Sequence, residues 1–254
     1  MKRNKIQVKR FQTKRNKLVI RGRVYGECSG HKPAVILSHG FIANQSMCKK
    51  YAICLAELGY ITFTFDFCGG GLMNSSDGKT SDMSIFTEME DLEAIIKYVK
   101  KLPFIDHNRI NLLGCSQGGV VSAMVAKKNP DAFEKLILFY PALCIPDDAR
   151  KGKMIFAKFD PDNIPEKLWC GPMRLGKCYV DTVKKMNIYD EIGGFDGKVF
   201  YIHGTADHIV DISYARKAYK LYPNIEYYEI EHGAHGFKGE HDEIAVKYLK
   251  KFMK

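Results

Sequence analysis

No apolar run in the chain approaches the ~18 residues that a membrane-spanning helix needs, so a bilayer-embedded protein is not expected. The basic opening stretch, Met1 to Arg10, is not followed by the apolar segment of a secretory signal, and the reading is of a chain that is not exported. None of the eight cysteines forms a C-x-x-C pair. That spacing argues against a zinc site or a disulfide framework and reads as reduced thiols in a cytoplasmic protein. Internal repeats and low-complexity segments are also lacking. With 46% hydrophobic and 27% charged residues over 254 positions, the chain has ordinary globular composition and can bury a large core.

The net charge is +10, and ten basic residues fall within the first 23 positions. A nucleic-acid arm is one reading of that cluster. The other is a solvated hairpin whose strand-like pieces, Ile6–Val8 and Leu18–Ile20, are protected at their edge by Lys and Arg. No recognition helix or aromatic stacking motif accompanies the charge, so the hairpin is preferred and no nucleic-acid or membrane partner is expected.

Short apolar runs alternate with helical patterns along the rest of the chain. Residues 34–37, 61–65, 110–113, 135–140, 199–202 and 225–230 have the length and composition of buried parallel strands. Between them, Lys49–Leu58 reads as a helix stopped by Gly59. Phe86, Met89, Leu92, Ile96 and Val99 recur at helical spacing, and residues 118–128, 212–222 and 242–252 are also helical in pattern. Alternation of this kind predicts an α/β fold with a mostly parallel, doubly wound sheet. The interval from Tyr140 to Val199 breaks it. Its middle is rich in Pro and Gly and has no clean sheet-type strand, which is unusual for a loop in a compact domain. Residues 142–187 are therefore expected to form a small inserted cap, with 1–141 and 188–254 as the core.

Gly114-Cys-Ser-Gln-Gly118 matches G-x-S-x-G between a strand pattern and a helix of small residues. Small flanking residues allow the sharp strand-to-helix turn that lifts a serine hydroxyl clear. A serine needs a base, and the base an orienting acid. Asp207, in His203-Gly-Thr-Ala-Asp207, and His235, in His232-Gly-Ala-His235, follow strand ends in the order Ser, acid, His. Asp211 and His232 are the rival acid and base, His203 and His208 read as structural or exposed, and Cys115 is a rival nucleophile outside the motif position. The oxyanion of an acyl-transfer intermediate needs donors. The backbone N–H groups of Gln117 and of Phe41, in the loop after the first parallel strand, are the candidates. Such chemistry calls for no metal and no organic cofactor.

Taken together, Ser38-His-Gly-Phe41, Phe65-Asp-Phe-Cys-Gly-Gly-Gly71, Gly114-Cys-Ser-Gln-Gly-Gly119, His203-Gly-Thr-Ala-Asp207 and Gly233-Ala-His235 resemble the α/β-hydrolase pattern over residues 20–254. Within the insert, Pro141-Ala142, Asp148-Ala-Arg-Lys-Gly152, Phe159 to Pro165 and Leu175-Gly-Lys-Cys-Tyr179 resemble the bacterial cinnamoyl (feruloyl) esterases. That resemblance implies a serine esterase acting on small hydroxycinnamate esters, with Asp148 and Tyr179 meeting the phenolic hydroxyls, and it favours a homodimer. The alternatives are a general acyl esterase or monoacylglycerol-lipase-like hydrolase, and an inactive binder of the same fold. The chain departs from the family at Gly69-Gly-Gly71, where relatives have Gly-His-Gly. It also departs at Cys115, where they have His, and at the apolar run Met154-Ile-Phe156 in the insert.

Overall fold

The computed structural model describes residues 6–254, so the basic positions 2, 3 and 5 lie outside the described residues. From the N-terminus the elements are β1 (Val8–Arg15), β2 (Leu18–Tyr25), β3 (Lys32–Ser38), α1 (Lys49–Glu57), β4 (Ile61–Phe65), α2 (Ile85–Val99), β5 (Ile105–Cys115), α3 (Gln117–Lys128) and β6 (Lys135–Phe139). A segment outside the main sheet follows, called the insert below, with α4 (Ile145–Arg150), β7 (Lys153–Met154), β8 (Ala157–Lys158), β9 (Lys167–Cys170), β10 (Met173–Gly176) and α5 (Lys177–Val183). The chain then returns through α6 (Ile188–Ile192), β11 (Lys198–Gly204), α7 (Ile212–Ala218), β12 (Ile225–Ile230) and α8 (Gly239–Phe252).

Eight strands form one sheet in the order β1-β2-β4-β3-β5-β6-β11-β12. The β1–β2 hairpin and its junction with β4 are antiparallel, and every other pairing is parallel. All five residues of β4 and of β6 are buried, as expected for strands covered on both faces. One face packs on α1 and α8, the other on α2, α3, α6 and α7. The sheet is thus the doubly wound α/β-hydrolase arrangement expected from the alternation of elements, with the basic hairpin as its antiparallel edge. Two of the hairpin's arginines are neutralised, Arg15 by Asp91 at 2.5 Å and Arg21 by Asp77 at 2.7 Å.

Element ends follow local chemistry. α2 starts on a reciprocal cap in which the Ser84 hydroxyl accepts from the Thr87 N–H and the Thr87 hydroxyl accepts from the Ser84 N–H. α1 stops where Gly59 takes φ of 95°. The buried face of α2 differs from the expected one. It runs through Ile85, Glu88, Asp91, Leu92, Ile95, Ile96 and Val99, whereas Phe86 is exposed. Two acids lie on the buried face because each has partners there: Gln117 for Glu88, and Arg15 and the Cys68 N–H for Asp91. Apolar spacing alone counts such residues as solvent-facing. Between Phe139 and Lys198 the chain leaves the sheet, and the four short strands there pair only with each other, β7 with β8 and β9 with β10.

Candidate active site

The carboxyl ends of β3, β5, β11 and β12 converge on one edge of the sheet, the edge where ligands bind in open α/β folds. Ser116 follows β5 directly with φ 55° and ψ −122°, a backbone conformation that non-glycine residues adopt only under constraint. Its N–H donates to Phe139 O at 3.0 Å, and its carbonyl accepts from Gly119 and Ala142. The glycine of the elbow leaves no alternative: a Cβ at Gly118 would lie 2.4 Å from His39 O and 2.5 Å from Ser38 O. That contact presses the first turn of α3 against the end of β3.

Ser116 Oγ lies 2.9 Å from His235 Nε2, and His235 Nδ1 lies 2.7 Å from Asp207 Oδ2. Because a carboxylate only accepts, Nδ1 carries the proton and Nε2 is left to accept from the serine hydroxyl. Asp207 is buried, and Oδ1 accepts from the N–H groups of Ile209 and Val210, each at 2.9 Å. Burial works to raise its carboxyl. Hydrogen bonds from His203 and His235, the charge of His235 and the Val210 N–H outweigh burial and hold it below the ordinary carboxylate range. The rival residues lie elsewhere. Asp211 caps α7, accepting from the Ser213 N–H at 2.9 Å. His232 is exposed beside Glu231. Cys115 is fully buried beneath the elbow.

His203 has a larger part than its position in the motif foretold. It is fully buried at the end of β11, and Nε2 donates to Val210 O at 2.9 Å and Asp207 Oδ2 at 3.2 Å. Asp207 Oδ2 is therefore held from two sides by two imidazoles. His39 does the equivalent for the loop after β3. Its Nδ1 donates to Gly40 O at 2.8 Å and its Nε2 accepts from the Phe67 N–H at 3.2 Å, while burial keeps the ring neutral by lowering its pKa.

Phe41, Ser116, Gln117, Asp148 and Tyr179 line one cavity of about 100 Å³, so the structure brings the expected donors and insert residues together at the serine. Gln117 is the first residue of α3 and has no carbonyl one turn back for its N–H. No described residue accepts from the Phe41 N–H. The remaining lining is largely apolar, with Ile145, Met154, Ile155 and Phe156 from the insert and Ile209 from the loop that carries Asp207. His208, also in that loop, lines the cavity and is exposed. Asp148 is half-buried in the first turn of α4, with its carboxylate beside the Cys144 thiol, whose pKa it helps to raise after burial. Tyr179 is buried, and its hydroxyl donates to Gln117 Oε1 at 2.5 Å.

Comparison with known proteins shows hydrolases of the same fold. The family model described as "Hydrolase_4: Serine aminopeptidase, S33" matches residues 29–169. The mouse monoglyceride lipase is 30% identical over 138 residues, 53% of this chain and 44% of its own length. An uncharacterized 31.7 kDa protein of Escherichia coli, from the traX-finO intergenic region, is 35% identical over 88 residues, 34% of this chain and 30% of its own length. The chain thus matches less than half the length of these curated relatives. Est1E from Butyrivibrio proteoclasticus, solved with ferulic acid bound, superposes with a TM-score of 0.88 at 28% identity, covering 96% of this chain and 97% of that one. With its model spanning residues 29–169 of 254, the chain belongs to the serine aminopeptidase S33 family of α/β hydrolases.

Proposed function

We propose that the chain is a carboxylic-ester hydrolase working through an acyl-serine intermediate, with hydroxycinnamate esters as its substrate class. The observation that carries the reading is the continuous Ser116–His235–Asp207 hydrogen-bond chain, 2.9 and 2.7 Å long at its two links, opening on a cavity. In the first half-reaction Ser116 Oγ attacks the ester carbonyl carbon as its proton passes to His235 Nε2. The carbonyl oxygen becomes an oxyanion that the N–H groups of Phe41 and Gln117 stabilise. Imidazolium then protonates the leaving alkoxide, the C–O bond breaks, and the alcohol departs. Water repeats the sequence on the acyl-serine, with His235 again accepting the proton, and releases the acid.

The cavity favours a compact acyl group. At about 100 Å³ it is smaller than the ~150 Å³ void that holds benzene, so a ring entering it would extend through its mouth. A long acyl chain would have to run out past Phe156, which is 71% exposed. Residues 142–187 serve in this reading as the cap that closes the acyl end. Asp148 and Tyr179 there, with Lys153 and His208 beside them, give polar groups to a slot whose remaining lining is largely apolar. The fold shared with Est1E, solved with ferulic acid bound, points the same way. The apolar stretch Met154 to Phe156 and the similarity to monoglyceride lipase favour a second reading, a general acyl esterase. The eight unpaired cysteines suit a reducing compartment, the cytoplasm.

The experiment is an ester panel on one preparation, with methyl ferulate, methyl caffeate, p-nitrophenyl butyrate and a long-chain monoacylglycerol. Ser116→Ala should lower kcat on the order of 10⁴-fold or more with the fold intact, whereas Cys115→Ala should be mild. A wild type that prefers the monoacylglycerol transfers the reading to the acyl esterase. An active Ser116→Ala variant ends the serine mechanism.

A further inference from the structure

Glu88 is a carboxyl without a role in the chemistry above, and it is only 1% exposed. Burial raises its pKa well above the ordinary value against the lowering effect of its bond to Gln117, and the charge of Asp91 adds to the rise. Burial thus favours the protonated form of this carboxyl. Gln117 Nε2 donates to Glu88 Oε2 at 2.8 Å, and Gln117 Oε1 accepts from the Tyr179 hydroxyl at 2.5 Å. One buried side-chain amide thus joins α2, the start of α3 and α5 of the insert. The local backbone is shaped around this carboxyl. A Cβ at Gly70 would lie 2.9 Å from Glu88 Oε1 and 2.5 Å from the Cβ of Phe67, so any side chain at the middle position of Gly69-Gly-Gly71 would press on Glu88.

The residue bridged in this way is the one whose backbone N–H faces the reacting carbonyl. The direction of that N–H is set by ψ of Ser116, which stands at −122° in a strained conformation. A strained torsion persists only where its surroundings over-determine it. The helix after Gln117 is one constraint, and the two hydrogen bonds on the Gln117 side chain are another.

We propose that Glu88 is a positioning residue: with Tyr179 it clamps the Gln117 amide and so holds the Gln117 N–H on the oxyanion, latching the insert to the nucleophile turn. The inference rests on the serine-esterase reading above. A misdirected oxyanion donor weakens binding of the transition state and not of the substrate, so the loss belongs in kcat and not in KM. Tyr179 acquires a second task that is independent of any substrate hydroxyl. It therefore acts even on an ester too small to reach it.

The test is steady-state kinetics on p-nitrophenyl acetate with Glu88→Leu, Glu88→Gln, Tyr179→Phe and the Glu88→Leu/Tyr179→Phe double variant. Removing an oxyanion donor outright costs 10²–10³ in kcat, so misdirecting one should cost about tenfold in Glu88→Leu and in Tyr179→Phe, with KM within about twofold. Glu88→Gln keeps an acceptor for the Gln117 amide and should stay within about threefold of wild type in kcat. Either single variant releases the amide, so the double variant should lose little more than one of them. Three results would overturn the proposal: a folded Glu88→Leu with wild-type kcat, a Glu88→Gln as slow as Glu88→Leu, or losses that multiply in the double variant. If Glu88→Leu does not fold, a wild-type kcat in Tyr179→Phe overturns it alone. Ser116→Ala, run alongside, separates the two ideas. Activity there defeats the serine-esterase reading, whereas inactivity there with unchanged kcat in Glu88→Leu defeats only the role of Glu88.

Discussion

Replacing Asp207 by Asn changes one oxygen to an amide nitrogen and tests the orientation of the base directly. In the wild type, Oδ1 accepts from two backbone N–H groups at 2.9 Å, and Oδ2 accepts from His235 at 2.7 Å and from His203 at 3.2 Å. The asparagine carbonyl should keep the two backbone bonds, which leaves its NH₂ facing two imidazoles. An Nδ1–H on His235 then confronts another donor. The ring relieves this by moving its proton to Nε2, which points the proton at Ser116 Oγ and removes the lone pair that should accept the serine proton. The expected loss in kcat is on the order of 10⁴, as for an Asp→Asn change in a serine-protease triad. Stability should change much less. His203 Nε2 keeps Val210 O, so about one buried hydrogen bond is lost, worth about 1–3 kcal/mol. That corresponds to a fall in Tm of roughly 2–10 °C for a chain of this size. The assay is p-nitrophenyl butyrate hydrolysis well below the variant's melting temperature, with circular dichroism to verify folding. Asp211→Asn is the control, because it should lose only cap stability on α7. A folded Asp207→Asn variant within tenfold of wild type, or a large loss in Asp211→Asn, would refute the assignment.

Other outcomes follow from individual contacts. Glu88 keeps its proton in the folded protein to a pH at which the unfolded chain has already released it, so its raised pKa makes stability fall as pH rises above the ordinary carboxylate value of ~4.3. Glu88→Gln should remove that slope, and melting curves of both proteins between pH 4 and 8 should diverge in the variant's favour as pH increases; parallel curves would contradict it. Gly118→Ala forces a Cβ against the backbone of Ser38 and His39, so we expect a loss of about 1–3 kcal/mol by urea unfolding. Its kcat should also drop, because the displaced segment carries Phe41. Asp148→Ala should lower kcat/KM for caffeate esters more than for unsubstituted cinnamate, by about 1–3 kcal/mol. Equal losses on both esters would make Asp148 a helix-start residue only.

How much of this was legible in the residues depends on the physics that set each feature. The parallel strands were readable because β3, β4 and β6 are buried on both faces, and a continuous apolar run is the consequence. The meeting of Ser116, Asp207 and His235 was legible because each lies in the segment just past a strand end, after Cys115, Gly204 and Ile230, in the one order this fold uses. Gly118 was readable because the elbow has no room for a side chain. The buried face of α2 was misread by about one position, with Phe86 taken as inward. Counting apolar residues treats Glu88 and Asp91 as outward, although both are buried once their partners are present. The partners, Arg15 and Gln117, are 76 and 29 residues away, and nothing local announces either pairing.

The side chain of Gln117 makes the same point from within the motif. G-x-S-x-G marks position 117 for its backbone, and on that ground alone an alanine there should cost little. In the structure its amide satisfies two buried polar groups at once, so Gln117→Ala leaves the Tyr179 hydroxyl and the Glu88 carboxyl without their partners. An unpaired buried polar group costs about 1–3 kcal/mol, enough to favour rearrangement of the strained turn that carries Ser116. The one available signal was the acid at position 88, one turn before Leu92 on a helix that faces the core. A charged residue at such a position needs a buried partner. The helix starting at residue 117, packed directly on α2, is where that partner had to be sought.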